Sequence, residues 1–269
     1  MSGGGALAVR AAGVRAAAAV GLPAALLAAW WLFSAGSTDP FFPPLSRIVE
    51  AGREVWTGPR LAETVLPSLG RLLTGFAIAG LAGVAAGVVV GLHRRLGHVV
   101  APLLEFVRAI PPPVLVPVLM LFLGIGDGMR IAVIVLGCVW PVLLNTVDGV
   151  RSADPVQVDT ARSLRLGPVA RLRHLVLPAA APRIAAGLHQ ALGIGIVLMV
   201  VSEMFAAQDG LGMSIVQFQQ SFAMAPMWSG VLLLGVIGVV LSLLFRLAER
   251  RALRWYLATR EGRPHAADR

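Results

Sequence analysis

Leu69–Leu92 reads LGRLLTGFAIAGLAGVAAGVVVGL, 24 residues carrying one charge, Arg71. Roughly 20 apolar residues in a helix cross a hydrocarbon core about 30 Å thick, so this stretch predicts a transmembrane helix. Gly75, Ala79, Gly83, Gly87 and Gly91 recur every four residues within it. That spacing puts them on one helix face, where small side chains let a neighbouring backbone approach closely. Gly187, Ala191 and Gly195 repeat the pattern further along. Two readings stay open: fixed packing inside one subunit, or a dimer or sliding interface along a pathway.

Five more stretches pass the same test: Ala16–Phe33, Val99–Leu123, Ile131–Val147, Ile184–Phe205 and Trp228–Phe245. Trp30, Trp31 and Trp228 stand at span ends, where amphipathic rings suit the membrane–water interface. The first stretch is too long for a signal-peptide core and lacks a good cleavage signal, so it reads as an uncleaved helix. Pro111, Pro112, Pro113 and Pro117 interrupt the third. Freed backbone groups there are tolerated only where protein or a cavity surrounds them, so the interruption marks either a packing kink or a transport pathway.

Composition agrees. The chain is 57% hydrophobic and 14% charged, with mean hydropathy +0.79, against about 25% charge for a soluble domain. Its net charge is +9, and all 23 basic residues are Arg. Without Lys there is no phosphate-cradling G-x-x-x-x-G-K-[ST] loop and no Schiff-base chemistry. If ATP drives this protein, another subunit hydrolyses it. One cysteine, Cys138, precludes an intrachain disulfide. His93, His98, His174, His189 and His265 form no metal-ligand pattern. No metal and no cofactor bound by this chain is expected. The Arg residues fall between apolar spans, so the basic charge points to the bilayer and not to nucleic acid.

Arg counting sets the orientation. With the N-terminus inside, 17 Arg lie on the cytoplasmic side and four (Arg47, Arg53, Arg60, Arg130) outside, with Arg71 and Arg108 at or within spans. The positive-inside rule then gives six spans with both termini cytoplasmic. The expected organisation is an all-α polytopic protein. It has a cytoplasmic tail at 1–15, a six-helix membrane domain at 16–248 with an inner loop at about 149–182, and a second tail at 249–269.

The inner loop has its own structure. Asp154-Pro155-Val156-Gln157 combines a favoured N-cap, a proline suited to the first helical position and a Gln that can close a capping box. A short helix should run from Pro155 to about Leu166, with Val158, Ala161 and Leu164 on one face, ending at Gly167-Pro168. A second short helix, Val169 to Leu177, leads to Pro178. Such an element either lies solvated beside lipid headgroups or plugs into a groove of a soluble partner.

Asp159-Thr160-Ala161-Arg162-Ser163-Leu164-Arg165, followed by Leu175-Val176-Leu177-Pro178, resembles the E-A-A-x-x-x-G-x(9)-I-x-L-P loop of ABC importer permeases. Ala161, Leu177 and Pro178 match; Asp159, Thr160, Arg165 and Leu175 replace Glu, Ala, Gly and Ile. Gly167 stands two residues after the family's glycine and is the expected source of the turn. The segments Val107–Pro111 through Gly126, Phe42-Pro43-Pro44 with an amphipathic stretch after it, Val201-Ser202-Glu203 and Gly210-Leu211-Gly212 are similar to permeases for nitrate, sulfonates, taurine and bicarbonate. The resemblance covers nearly the whole chain after about Ala24.

The resemblance implies a type I importer permease fold and a homodimer in the bacterial inner membrane. It implies a pair of ATP-binding subunits that hold ATP and Mg, and an extracytoplasmic solute-binding protein that delivers a small anion. It assigns Asp159, Thr160, Ala161, Leu164, Arg165, Gly167, Leu177 and Pro178 to coupling with the ATPase. Charges and prolines within spans nominate Arg108, Pro112, Pro117 and Glu203 for the pathway. Arg108 has an alternative role as a structural partner of Glu105, and Glu203 as an interface contact. A secondary transporter or channel not coupled to ATP is the competing class, and it would need functional acids or inverted repeats in its spans. A membrane enzyme would need convergent catalytic groups, and none is found. A scaffold would not need the inner loop.

Overall fold

The computed structural model describes residues 21–206 and 209–254, and these are helical throughout apart from short connections. The proposed tails at 1–15 and most of 249–269 lie outside the described residues. The helices are α1 (Gly21–Ser34), α2 (Leu45–Val55), α3 (Leu66–Leu92), α4 (Arg94–Ala109), α5 (Val116–Leu123), α6 (Asp127–Arg151), α7 (Pro155–Ser163), α8 (Pro168–Arg171), α9 (Leu177–Ala206), α10 (Leu211–Gln220) and α11 (Met224–Ala252).

Among the described residues four helices are long and apolar enough to cross a membrane: Leu61–Leu92, Asp127–Arg151, Pro168–Phe205 and Met224–Ala252. The third expected span is two helices, Arg94–Ala109 and Pro112–Leu123, bent by 78° at the proline run. The bend has a direct cause. Ile110 and Pro111 are extended, as residues preceding proline tend to be, and none of the three consecutive prolines can donate to a preceding turn. The first span is described only from Gly21 on, and its remainder lies outside the described residues. The last helix runs to Ala252, past the expected end at 248.

The chain divides into two compact units. One comprises residues up to Arg60 with Ile215–Leu233. Here α2 is the amphipathic stretch expected in the outer connection, burying Leu45 and Ile48. The Trp56 indole donates to Ser229 Oγ at 2.9 Å, and the Trp228 indole donates to the Phe41 carbonyl at 2.9 Å. Trp30 and Trp228 meet edge to face, centroids 6.0 Å apart.

The other unit comprises Leu61–Ser214 with the residues from Leu234 on. Its core joins α3, α6 and α9 through Leu72, Ala79, Met129, Val133, Ile134, Cys138, Val142, Ala191, Leu198 and Met199, all essentially inaccessible to solvent. The glycine stripe of α3 faces α6. A methyl group added at Gly87 would stand 2.6 Å from Thr146 Cβ and 2.8 Å from the Leu143 carbonyl; one at Gly83 would stand 2.8 Å from Val142 Cβ. Gly187 on α9 likewise abuts Asn145 and the Pro141 carbonyl of α6. Of the two readings of these stripes, the structure supports fixed packing within one subunit.

Candidate functional site

Three places in the second unit gather polar side chains. The first is the connection between α6 and α9. Asp154 caps α7 by accepting from Val156 N at 2.9 Å. The helix stops at Ser163, three residues short of the expectation, because the chain turns at Arg165. The Leu166 amide donates to the Ala161 carbonyl and the Arg165 amide to the Arg162 carbonyl. This pair of bonds is the closure that ends many helices on a left-handed residue. Arg165 is that residue, with φ +51. Gly167, expected to make the turn, has φ −63 and caps α8 in extended conformation. Arg165 therefore occupies the left-handed position itself, which a glycine fills without steric cost.

The faces of α7 also differ from expectation. Val158 is half-buried and Ala161 is buried, so these two point into the protein. Leu164, expected beside them, is 68% exposed, as are Val156 (72%) and Val169 (77%). Asp159 pairs with Arg162 at 3.1 Å on the exposed side, and the Thr160 hydroxyl is spent on the Val156 carbonyl. Leu177 and Pro178 are half-buried at the start of α9. They follow a wider π-helical turn, Leu172–Val176, whose Val176 packs with Val150 and Ala180. The outward face is thus Val156, Asp159, Thr160, Arg162 and Leu164, while Ala161, Leu177 and Pro178 hold the loop to the bundle.

The second place is a charged clasp at the opposite end of α6. Arg71 of α3 is buried and donates from Nε to Asp127 (2.7 Å), from Nη1 to Glu203 (3.0 Å) and from Nη2 to Asp209 (2.8 Å). Arg130 donates to Asp127 (3.2 Å) and Asp209 (2.9 Å). Glu203 is wholly enclosed: its carboxylate also accepts from Ser68 Oγ at 2.7 Å and from the Gly212 amide at 2.9 Å. Gly210 (φ +115) lies directly over the carboxylate, where a methyl group would fall 2.5 Å from its carbon. Glu203, nominated for the pathway or the interface, instead ties α9 to α3 and to the start of α10. Burial pushes the Asp209 carboxyl up, but hydrogen bonds from Arg71 and Arg130 outweigh it and hold its pKa below the ordinary carboxylate range. The partners Ser68, Asp127, Arg130 and Asp209 were missed in the sequence. The available signal was a pair of opposite charges, Arg71 and Glu203, inside predicted spans.

The third place is a cavity of about 310 Å³ lined by Arg108, Pro112, Gly137, Trp140, Pro141, Leu144, Asn145, Gln190 and Ile194. It brings Arg108 and Pro112 together, as nominated. Pro117 is exposed on α5 and does not line it. No ion pair joins Arg108 to Glu105; both side chains are exposed on α4.

Comparison with known proteins follows from this geometry. Residues 79–254 match the family model described as binding-protein-dependent transport system inner membrane component. The chain is 29% identical over 244 residues to the taurine transport system permease protein of Escherichia coli (strain K12), covering 88% of this chain and 89% of that one. It is 28% identical to a putative aliphatic sulfonates transport permease protein of Bacillus subtilis (strain 168), covering 87% and 86%. It is 31% identical to the bicarbonate transport system permease protein of Synechococcus elongatus, covering 84% and 85%. Among solved structures, the methionine ABC transporter MetNI in an inward-facing conformation aligns with TM-score 0.58 at 20% identity, covering 71% of this chain and 93% of that one.

Proposed function

The chain belongs to the family of binding-protein-dependent transport system inner membrane components, the membrane permeases of ABC importers, and from that premise we propose that it couples a partner's ATP hydrolysis to the passage of a small anion. The relatives named for aliphatic sulfonates and bicarbonate support the anion class, and taurine, a zwitterion, shares the sulfonate head group. The reading is carried by the α6–α9 connection, where Val156, Leu164 and Val169 present large apolar side chains to solvent on a short, otherwise polar element. Exposed apolar groups at both ends of α7 and on α8 are what a docking surface needs, and a short helix of this kind fits a groove on a soluble partner.

In this reading the ATP-binding pair, which holds ATP and Mg, seats α7 through Val156, Asp159, Thr160 and Leu164. Arg165 fixes the turn beside them, and Ala161, Gly167, Leu177 and Pro178 keep the element rigid on the bundle. Motion of the partner passes through Val176 and Ala180 into α9. A second copy of the chain completes the pathway, and a solute-binding protein delivers substrate on the clasp side. Both termini are cytoplasmic by the Arg asymmetry. The chain performs no covalent chemistry.

Reconstitution with a cognate ATP-binding subunit and solute-binding protein tests this directly. ATP-dependent uptake of a sulfonate or bicarbonate into vesicles is the expected result. Uptake by the chain alone, without ATP, would replace this reading with a secondary transporter.

A further inference from the structure

Among the described residues Arg108 is the one charged side chain lining the cavity beside the bend. It lies one residue before the end of α4, at the break between α4 and α5. The other walls come from the middle of two spanning helices: Gly137, Trp140, Pro141, Leu144 and Asn145 from α6, and Gln190 and Ile194 from α9. The cavity thus lies beside the middle of two spanning helices, with the exposed Arg108 side chain at its edge, and charged side chains within spans mark pathways. No carboxylate forms an ion pair with Arg108 among the described residues, whereas Arg71 and Arg130 are held by acids at the clasp.

The remaining polar groups on the walls are uncharged. Asn145 donates to the Pro141 carbonyl at 2.8 Å, which fixes its amide in the wall. Pro141 lacks an N–H, so it leaves the Gly137 carbonyl without its helical donor. Trp140 and Gln190 add an indole and an amide. Pro112, Leu144 and Ile194 supply apolar wall.

We propose that this cavity is a transport station for a small organic monoanion, with Arg108 as its sole counter-ion and the amides and indole as neutral hydrogen-bonding partners. The charge count makes the selection. One guanidinium pairs with one negative charge, so a monoanion enters each copy's cavity as a net neutral pair, whereas a dianion keeps one charge without a counter-ion there. The apolar wall accommodates a short carbon body behind the charged head. The proposal rests on the permease reading and specifies what the pathway carries at mid-depth.

The test uses the purified full chain in detergent, titrated with methanesulfonate in exchange for chloride at constant ionic strength and read by tryptophan fluorescence. A saturable response is expected. It is lost in Trp140→Phe, which identifies the reporter. It is weakened about tenfold or more in Arg108→Gln, in line with loss of one hydrogen bond to a charged group, and partly kept in Arg108→Lys. Sulfate, the dianion, gives no saturable response. Circular dichroism establishes that the variants are folded. No saturable response in the wild type, an unchanged response in Arg108→Gln, or equal binding of sulfate overturns the proposal. Association with the ATPase is measured on the same preparations. Failure of the wild type to associate would strike the permease reading, while retained association with no methanesulfonate response strikes the station alone.

Discussion

Arg71 Nη1 donates to Glu203 Oε1 at 3.0 Å across 132 positions of sequence, both side chains buried. This pair closes the core of the second unit at one end. The same guanidinium reaches Asp127 and Asp209, so one residue ties α3, α6, α9 and the connection to α10. In Glu203→Gln the Arg71 guanidinium keeps Asp127 and Asp209 as counter-charges, so the loss is that of a charge-assisted hydrogen bond in the core, about 1.5–3 kcal/mol of stability, read as a lower unfolding midpoint in detergent. A midpoint unchanged by this substitution would show that the clasp does not hold the fold.

Asp209 gives the clasp a pH dependence. Its folded pKa is depressed below the unfolded value, so its contribution is fully present above the ordinary carboxylate pKa and is lost as pH falls through the depressed folded value. Thermal unfolding of wild type and Asp209→Asn should differ at neutral pH and converge in the acid range. A gap that stays constant down to the lowest pH would contradict this assignment.

The glycine stripe predicts a graded series. Gly87→Ala drives a methyl group into Thr146 and the Leu143 carbonyl, and overpacking of this kind costs about 1–3 kcal/mol. Gly70→Ala, with nothing within 4 Å, serves as the control and should be neutral or slightly stabilising, since alanine is the better helix former. Comparable unfolding midpoints for the two variants would place the α3–α6 contact elsewhere.

Arg165→Gly removes a side chain from a left-handed residue (φ +51). The steric relief of about 1–2 kcal/mol is partly offset by the greater freedom of glycine in the unfolded chain. A gain of up to about 1 kcal/mol with retained partner binding is expected from these opposing effects. Loss of partner binding in this variant would show that the Arg165 side chain itself makes contact.

The parts legible in the sequence are those set by local pattern. Among the described residues hydropathy locates four of the six expected spans as long apolar helices, Asp154-Pro155 locates the start of α7, and the four-residue glycine spacing identifies a close-packed face. What was not legible depends on distant pairings or on backbone conformation. The proline run announced an interruption but not a 78° bend between two helices. Glu203 and Arg71 are 132 positions apart in sequence, and no local pattern joins them to Asp127, Arg130 and Asp209. At the inner loop, the three-residue spacing of Val158, Ala161 and Leu164 groups Leu164 with Ala161 on one helix face. Helix termination before Leu164 instead turned that residue outward, and the left-handed turn fell on Arg165 because the hydrogen-bond closure from Leu166 to Ala161 requires it there.

The central claim is that the outward face of α7 seats the ATPase, and Leu164→Glu tests it most directly. Leu164 is exposed, so a charge there leaves the fold intact while disrupting an apolar docking face. The chain is co-purified in detergent with a cognate ATP-binding subunit, wild type against Leu164→Glu, with unfolding midpoints measured in parallel. The account predicts a stable complex for the wild type and its loss in Leu164→Glu at an unchanged midpoint. A complex that survives Leu164→Glu undiminished would contradict it.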